Sequence, residues 1–158
     1  MKIILPAHNK PATQVKSWQE IKKDAEEMRA FIQTDPDAGE GKKCIALSHA
    51  QVFYEPKNFF VINKNWENGK LRKAFGNDII INARIVAFSD PVYWPESCMS
   101  FPFRKPRQTD RMNKITTVYW VPFFGFLLKK KKKLTGIPAF IVAHENEHAL
   151  GKSIYFNL

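Results

Sequence analysis

With 158 residues, 44% of them hydrophobic and 25% charged, the chain is long enough to bury one core and too apolar to stay disordered. Two cysteines exclude a disulfide framework, no apolar run approaches a membrane span, and the stretch from Met1 to Pro6 is too short for a signal peptide. A single cytoplasmic domain over residues 1–158, with no membrane partner and a formal net charge of +10, is the expectation.

In chain order, the segment through Pro11 reads as extended. From Thr13 to Gln33 the apolar residues Val15, Trp18, Ile21, Ala25, Met28, Phe31 and Ile32 recur at helical spacing, with lysines and carboxylates on the other face. Turn residues from Thr34 to Gly41 end that helix and begin a loop. Ala50 to Tyr54 and Asn58 to Ile62, rich in β-branched and aromatic residues, read as strands. Asn63 to Gly76 is a polar connection. Asn77 to Phe88 is a buried strand pair or one long bent strand, and Asn113 to Val121 alternates as a strand that Phe123 to Leu128 joins across a turn. Strands followed by one crossing helix make an α+β fold.

The last helix carries the chemistry. Thr135 and Gly136 cap it, Pro138 is tolerated in its first turn where its missing N–H would be unpaired, and Gly151 stops it. His144 and His148 leave one helical face a turn apart, so both imidazoles can share a divalent metal, and Glu145 stands where its carboxylate can reach a water on that metal. The same residues would also suit an amphipathic helix with two solvated histidines. Phe140, Ile141, Val142 and Ala143 argue against that, because they bury the helix on most sides. A catalytic metal usually takes three protein ligands, and the tail after Ala149 holds no His, Cys, Asp or Glu. Cys44, Cys98, His8 and His49 are the upstream Cys and His candidates, Cys98 standing in a proline-bracketed segment from Trp94 to Pro102.

Three segments together resemble the peptide deformylases, metal hydrolases that remove the N-formyl group from new proteins of bacterial type. CIALSHAQ at Cys44 to Gln51 resembles the family's G-Φ-G-L-A-A-x-Q. ESCMS at Glu96 to Ser100 resembles E-G-C-L-S, and AHENEHALG at Ala143 to Gly151 resembles Q-H-E-x-D-H-x-x-G. INARI at Ile81 to Ile85 looks like the family's I-N-P-x-I strand. The resemblance implies antiparallel or mixed strands around a central metal-binding C-terminal helix. It implies Cys98, His144 and His148 as metal ligands and Glu145 as general base and acid. The Gln51 amide and the Met99 backbone N–H would be donors to the formyl oxygen. Cys44, Ile45, Ala46 and Leu47 would line the substrate cleft, and Arg111 would help hold substrate. Glu147 stands at the family's Asp position, where it would pair with a basic residue; Glu96 is read as structural.

The implied cofactor is one divalent ion, Fe2+ in the working enzyme, with Zn2+ or Ni2+ also suited to a thiolate and two imidazoles. The implied partner is an N-formyl-methionyl nascent peptide. The first motif departs from the family where Cys44 and Ala46 replace glycines and Ser48 and His49 replace alanines, which bears on peptide preference more than on chemistry. A metallopeptidase of other specificity, or an inactive ribosome-bound relative with a structural metal, are the alternatives. Lys129 to Lys133 form a run of five, read as a solvated strand end or turn that also guards a sheet edge, with weak ribosomal RNA contact as the functional option.

Overall fold

The structure, a computed structural model, describes Met1 and residues 10–34, 45–98 and 105–152. The expectations for the stretch before Lys10 and for most of the loop after Thr34 fall outside these residues. Helix α1, Trp18–Thr34, begins five residues later than the apolar spacing suggests. Thr13 is held extended by a parallel bridge to Lys57, and the Ser17 hydroxyl then accepts from the Glu20 N–H as an N-cap. Ile21, Ala25, Met28 and Ile32 form the buried stripe of α1.

Five strands make one antiparallel sheet in the order β1 to β5: β1 (Ala46–Ser48), β2 (Phe59–Ile62), β3 (Ile79–Glu96), β4 (Arg107–Phe123) and β5 (Phe126–Thr135). The expected strand at Ala50 to Tyr54 is absent. Ser48 caps a 3-10 turn, His49–Gln51, while the Gln51 side chain accepts from the Ser48 N–H, and this reciprocal capping wins over the β propensity of the residues that follow. The polar connection hides a short helix α2, Lys70–Phe75, which buries Leu71 and Phe75 one turn apart.

The sheet is covered on both faces, which is why β2 and the start of β3 read as unbroken apolar runs. Phe59, Val61, Ile79 and Ile81 face α1, whereas Phe60, Ile62 and Ile80 face Leu71 and Phe75 of α2 and Ala139 and Val142 of the last helix α3, Ile137–Ala149. Tyr119 of β4 is wholly buried there and donates its hydroxyl to the Phe75 carbonyl, with burial raising its pKa to about 12.

β3 is the single long bent strand of the two options. Register shifts between Ile81 and Arg84 and again between Ile85 and Ala87 bend it, and Asn82 sits at a φ of 51°. The Asn82 amide accepts from Val15 N at 2.9 Å and donates to Val15 O at 2.8 Å, so the bend also fastens the lead-in to α1. β3 then runs on with β4 as a ribbon that carries Glu96 and Cys98 to the end of α3. Within α3, Gly136 is the N-cap at positive φ, Pro138 lies in the first turn and Gly151 follows the end at a φ of 76°.

His49, expected as a wall or ligand candidate, is instead a buried structural residue. Its Nδ1 accepts from Lys57 N at 2.9 Å and its Nε2–H donates to Asp24 Oδ2 at 2.9 Å, with the ring stacked on Phe53 at 4.1 Å.

Asn82→Ala loses both bonds to Val15 and puts a less tolerant residue at positive φ, and should lower unfolding free energy by about 2–3 kcal/mol in urea titrations. Asn82→Gly should recover only the conformational part. Burial, together with the nearby Lys57 charge, lowers the His49 pKa against the pull of Asp24. The unfolded chain therefore binds this proton more readily, and the stability His49 contributes is present above about pH 6.5 and drains away as pH falls. His49→Asn should flatten the decline of the urea midpoint between about pH 7 and about pH 5; an unchanged slope would assign that decline to other groups.

Candidate metal centre

The site forms where the buried face of α3 meets the end of the β3–β4 ribbon. His148 is fully buried, Cys98 is 4% exposed, and the His144 side chain is 11% exposed. Cys98 Sγ lies 3.3 Å from His148 Nε2, which lies 3.1 Å from His144 Nε2, and the three donor atoms fall within 4.8 Å of one another. The outer nitrogens of both rings are already engaged. His144 Nδ1 meets Glu96 Oε1 at 2.8 Å and His148 Nδ1 meets the Lys152 carbonyl at 3.1 Å. Each Nδ1 therefore carries the proton, and both Nε2 lone pairs are turned toward the same point as the sulfur.

Two imidazole lone pairs and a sulfur so close together repel unless a cation sits among them. Charge balance says the same. Glu96 and Glu147 bring two negative charges against one on Arg111, and a thiolate at Cys98, the form in which cysteine ligates metal, makes the surplus two negative charges. One divalent ion balances it. The set of one thiolate and two imidazoles fits a metal that keeps an open position for water. Burial lowers the pKa of both imidazoles, but hydrogen bonds to Cys98 and Glu96 and the Glu145 charge lift His144 well above its usual value, while burial and the His144 charge push His148 down to about 3.

Glu145 is buried, and its Oε2 has no hydrogen-bond partner among the described residues. Burial lifts its pKa to about 7, against the His144 charge and with the help of Glu96 and Glu147. A carboxyl with a vacant oxygen and a pKa near neutrality can both take and return a proton.

Gln51 reaches the site from the opposite side. Its Oε1 is tied to Ser48 N, which turns Nε2 toward Cys98 Sγ at 3.7 Å. Arg111 is only 8% exposed. Its Nε and Nη2 donate to Glu96 at 2.6 and 3.2 Å, and Nη1 and Nη2 donate to Glu147 at 2.7 and 3.2 Å. Arg111 thus forms a double fork between two carboxylates of the protein itself. Glu147 does pair with a basic residue, as its position suggested.

Hydrogen bonds from His144, Arg111 and Thr109 hold the Glu96 carboxyl at about 2 despite its burial. Thr109 also donates to the Trp94 carbonyl at 2.9 Å. Thr109 escaped the sequence reading, although its position two residues before Arg111 puts both on one face of β4.

Of the expected cleft residues, Ile45 and Ala46 are half-buried against the α3 side of the core. Leu47 is wholly buried on the α1 side, so its side chain belongs to the core and not to a cleft wall. Cys44 and Met99 lie outside the described residues.

Comparison with known proteins agrees with this arrangement. The family model for polypeptide deformylase matches residues 2–158. The fold is similar to that of PDF from the Vibrio parahaemolyticus bacteriophage VP16T, solved in complex with actinonin, with a TM-score of 0.73 and 26% identity over 98% of this chain and 100% of that one. It is similar to peptide deformylase from Plasmodium falciparum, with a TM-score of 0.75 and 26% identity over 96% of this chain and 83% of that one. The Thermotoga maritima peptide deformylase has a TM-score of 0.75 and 23% identity over 98% and 94% of the respective chains. No curated protein sequence matches the chain. On the family match over nearly its whole length, with a Cys-His-His cluster in place, this chain belongs to the polypeptide deformylase family and is a metal-dependent hydrolase of the deformylase type.

Proposed function

We propose that the protein removes the formyl group from N-terminal formyl-methionine of nascent polypeptides, using Cys98, His144 and His148 as metal ligands and Glu145 as the proton carrier. The observation that carries this reading is the convergence of the three donor atoms next to a buried carboxylate with one unpartnered oxygen. A bound divalent ion supplies an acidified water and a Lewis-acid contact for a carbonyl oxygen. The remaining work falls to the chain.

Glu145 accepts a proton from the water that attacks the formyl carbon and returns it to the departing amine as the C–N bond breaks, leaving formate and a free N-terminus. The Gln51 amide donates to the formyl oxygen as that oxygen gains charge, a task supported by the Ser48 tether that fixes its direction. The Met99 N–H is the second donor in this proposal. Ile45, Ala46 and Cys44 form the near wall for the peptide, with Leu47 contributing backbone alone. Arg111 is a positioning residue. By gripping Glu96 and Glu147 it sets the carboxylate that orients His144.

The test is hydrolysis of a formyl-Met peptide under anaerobic conditions with iron(II), repeated with zinc and with nickel. Formate release from the formylated peptide, with no reaction of its acetylated analogue, is expected. Cleavage of internal bonds would instead place the protein among peptidases.

Glu145→Gln keeps the shape of the site and removes the proton carrier. It should cut kcat by about 10²- to 10⁴-fold while metal content stays at one ion per chain. Full activity in that variant would leave the mechanism without its acid and base. Arg111→Lys retains the charge but cannot fork to two carboxylates, so metal affinity, read by chelator competition, should fall about 10- to 100-fold. Unchanged metal affinity with a raised KM would return Arg111 to a substrate-binding role.

A further inference from the structure

The deformylase site uses the end of the sheet near α3 and leaves the β4–β5 hairpin unexplained. β4 and β5 are joined by the two-residue turn Phe124-Gly125, both at positive φ (47° and 81°), between the facing pair Phe123 and Phe126. That is the backbone of a tight hairpin whose twist suits its strands, and Gly125 meets the second position at no steric cost. A bulky Phe124 at positive φ is a less ordinary choice. Gln19 of α1 donates to the Gly125 carbonyl at 3.2 Å, so the tip is tied to the body of the protein. Yet Phe124 is 87% exposed, Phe126 76% and Phe123 51%, with Leu128 behind them at 42%. Phe123 and Phe124 pack edge-to-face at 4.6 Å, keeping the rings clustered at the tip.

Behind the rings come Lys129 to Lys133. These lie within β5 itself, and not at a strand end or turn as the sequence suggested. β5 is the outer strand, paired only with β4 among the described strands, and none of its five lysines joins an ion pair with a described residue. Guarding an edge against aggregation accounts for the lysines. It does not account for three exposed phenylalanines on a tethered tip, which by themselves invite association.

We infer that the β4–β5 hairpin is a docking element for an anionic lipid surface, its phenylalanine tip entering the acyl boundary and the lysines of β5 meeting the headgroups. The order of residues along the hairpin decides between partners. Apolar rings come first, and the first cation, Lys129, stands three residues behind Phe126, about 10 Å at the rise of a strand. That matches the depth of about 5–10 Å at which peripheral apolar side chains sit beneath a charged headgroup layer. Single-stranded RNA presents phosphates and bases side by side, and its binding grooves combine cations with aromatic platforms along the same track. Here the exposed phenylalanines stand ahead of the lysines along the hairpin, although Lys129 Nζ also lies 5.7 Å over the half-buried Trp120 ring. The lysines, compact point charges without the planar fork of arginine, suit a diffuse anionic layer better than directed phosphate recognition. Neither signal suffices by itself for firm attachment, and the hairpin supplies both. This departs from the expectation of no membrane partner, which rested on the lack of a spanning segment; a peripheral contact needs none.

Flotation of the full chain with vesicles of phosphatidylcholine alone, and of phosphatidylcholine with about 30% phosphatidylserine, tests the inference. Binding to the anionic vesicles at least about tenfold stronger than to the neutral ones is expected, weakening as salt rises. Phe124→Ser with Phe126→Ser should lower binding about tenfold or more. Replacing Lys129, Lys131 and Lys133 with Gln should abolish the preference for anionic lipid. Phe124→Ser alone serves as a second variant, since that ring is the most exposed, and circular dichroism and formyl-peptide turnover should be unchanged in it. Failure of the unmodified chain to float would overturn the inference. So would vesicle binding that ignores the phenylalanines, or phenylalanine-dependent binding to a single-stranded RNA oligomer without vesicle binding.

Discussion

Arg111 is the residue on which the site's geometry turns. Its guanidinium lies buried between Glu96 at the end of β3 and Glu147 on α3, with four hydrogen bonds spread over both. Burying such charges is costly unless they are paired with good geometry, and removing one partner leaves the others stranded. The arrangement therefore locks two elements into one relation. Glu96 in turn accepts from His144 Nδ1, which leaves His144 Nε2 aimed at the point that His148 and Cys98 share. The line from Glu147 through Arg111 and Glu96 to His144 starts and ends on the same helix. Through it, α3 has the direction of its own ligand set by the sheet it packs against.

The sheet can do this because its strands are long beyond what the core requires. β2 and the beginning of β3 are buried on both faces between α1 and the pair α2 and α3, which anchors the middle of the sheet. Past the bend at Asn82, β3 and β4 continue as a ribbon with much of its surface in solvent, and that overhang carries Thr109, Arg111, Glu96 and Cys98 to the helix. Asn82 makes the bend tolerable. Its side chain satisfies the Val15 backbone while its own backbone adopts a conformation that most residues resist. At the other end, β4 and β5 project the exposed phenylalanine tip and the lysine edge, the element inferred above to dock on a lipid surface.

The cluster of charges around the metal position also explains why Glu145 differs from its neighbours. Glu96 and Glu147 are both paired with Arg111. Glu145 has a buried oxygen with no partner among the described residues, and burial raises its pKa to about 7. Three carboxylates on adjoining elements thus separate into two paired with Arg111 and one with an unpartnered oxygen, the one proposed above as proton carrier. Environment, not residue type, draws that line.

Much of this was legible in the chain itself. Spacing of four residues placed His144 and His148 on one helical face, because the α-helical period is local and needs no partner to define it. Apolar periodicity marked α1, β-branched and aromatic content marked β2, caps and histidine spacing marked α3, and the run at β3 proved to be one bent strand. What the sequence could not decide was whatever depends on residues far apart in the chain. The start of α1 moved because Thr13 bridges Lys57, and a strand expected at Ala50 gave way to a capped turn. That Glu96 and Glu147 enclose Arg111 from two different elements was not legible in the chain. Lys129 to Lys133 were legible as charge guarding a sheet edge, but not as the interior of an outer strand behind an aromatic tip. Composition and period are properties of neighbours along the chain. Which carboxylate meets which guanidinium, and which side chains are left facing solvent, is settled only when the sheet brings distant segments into register.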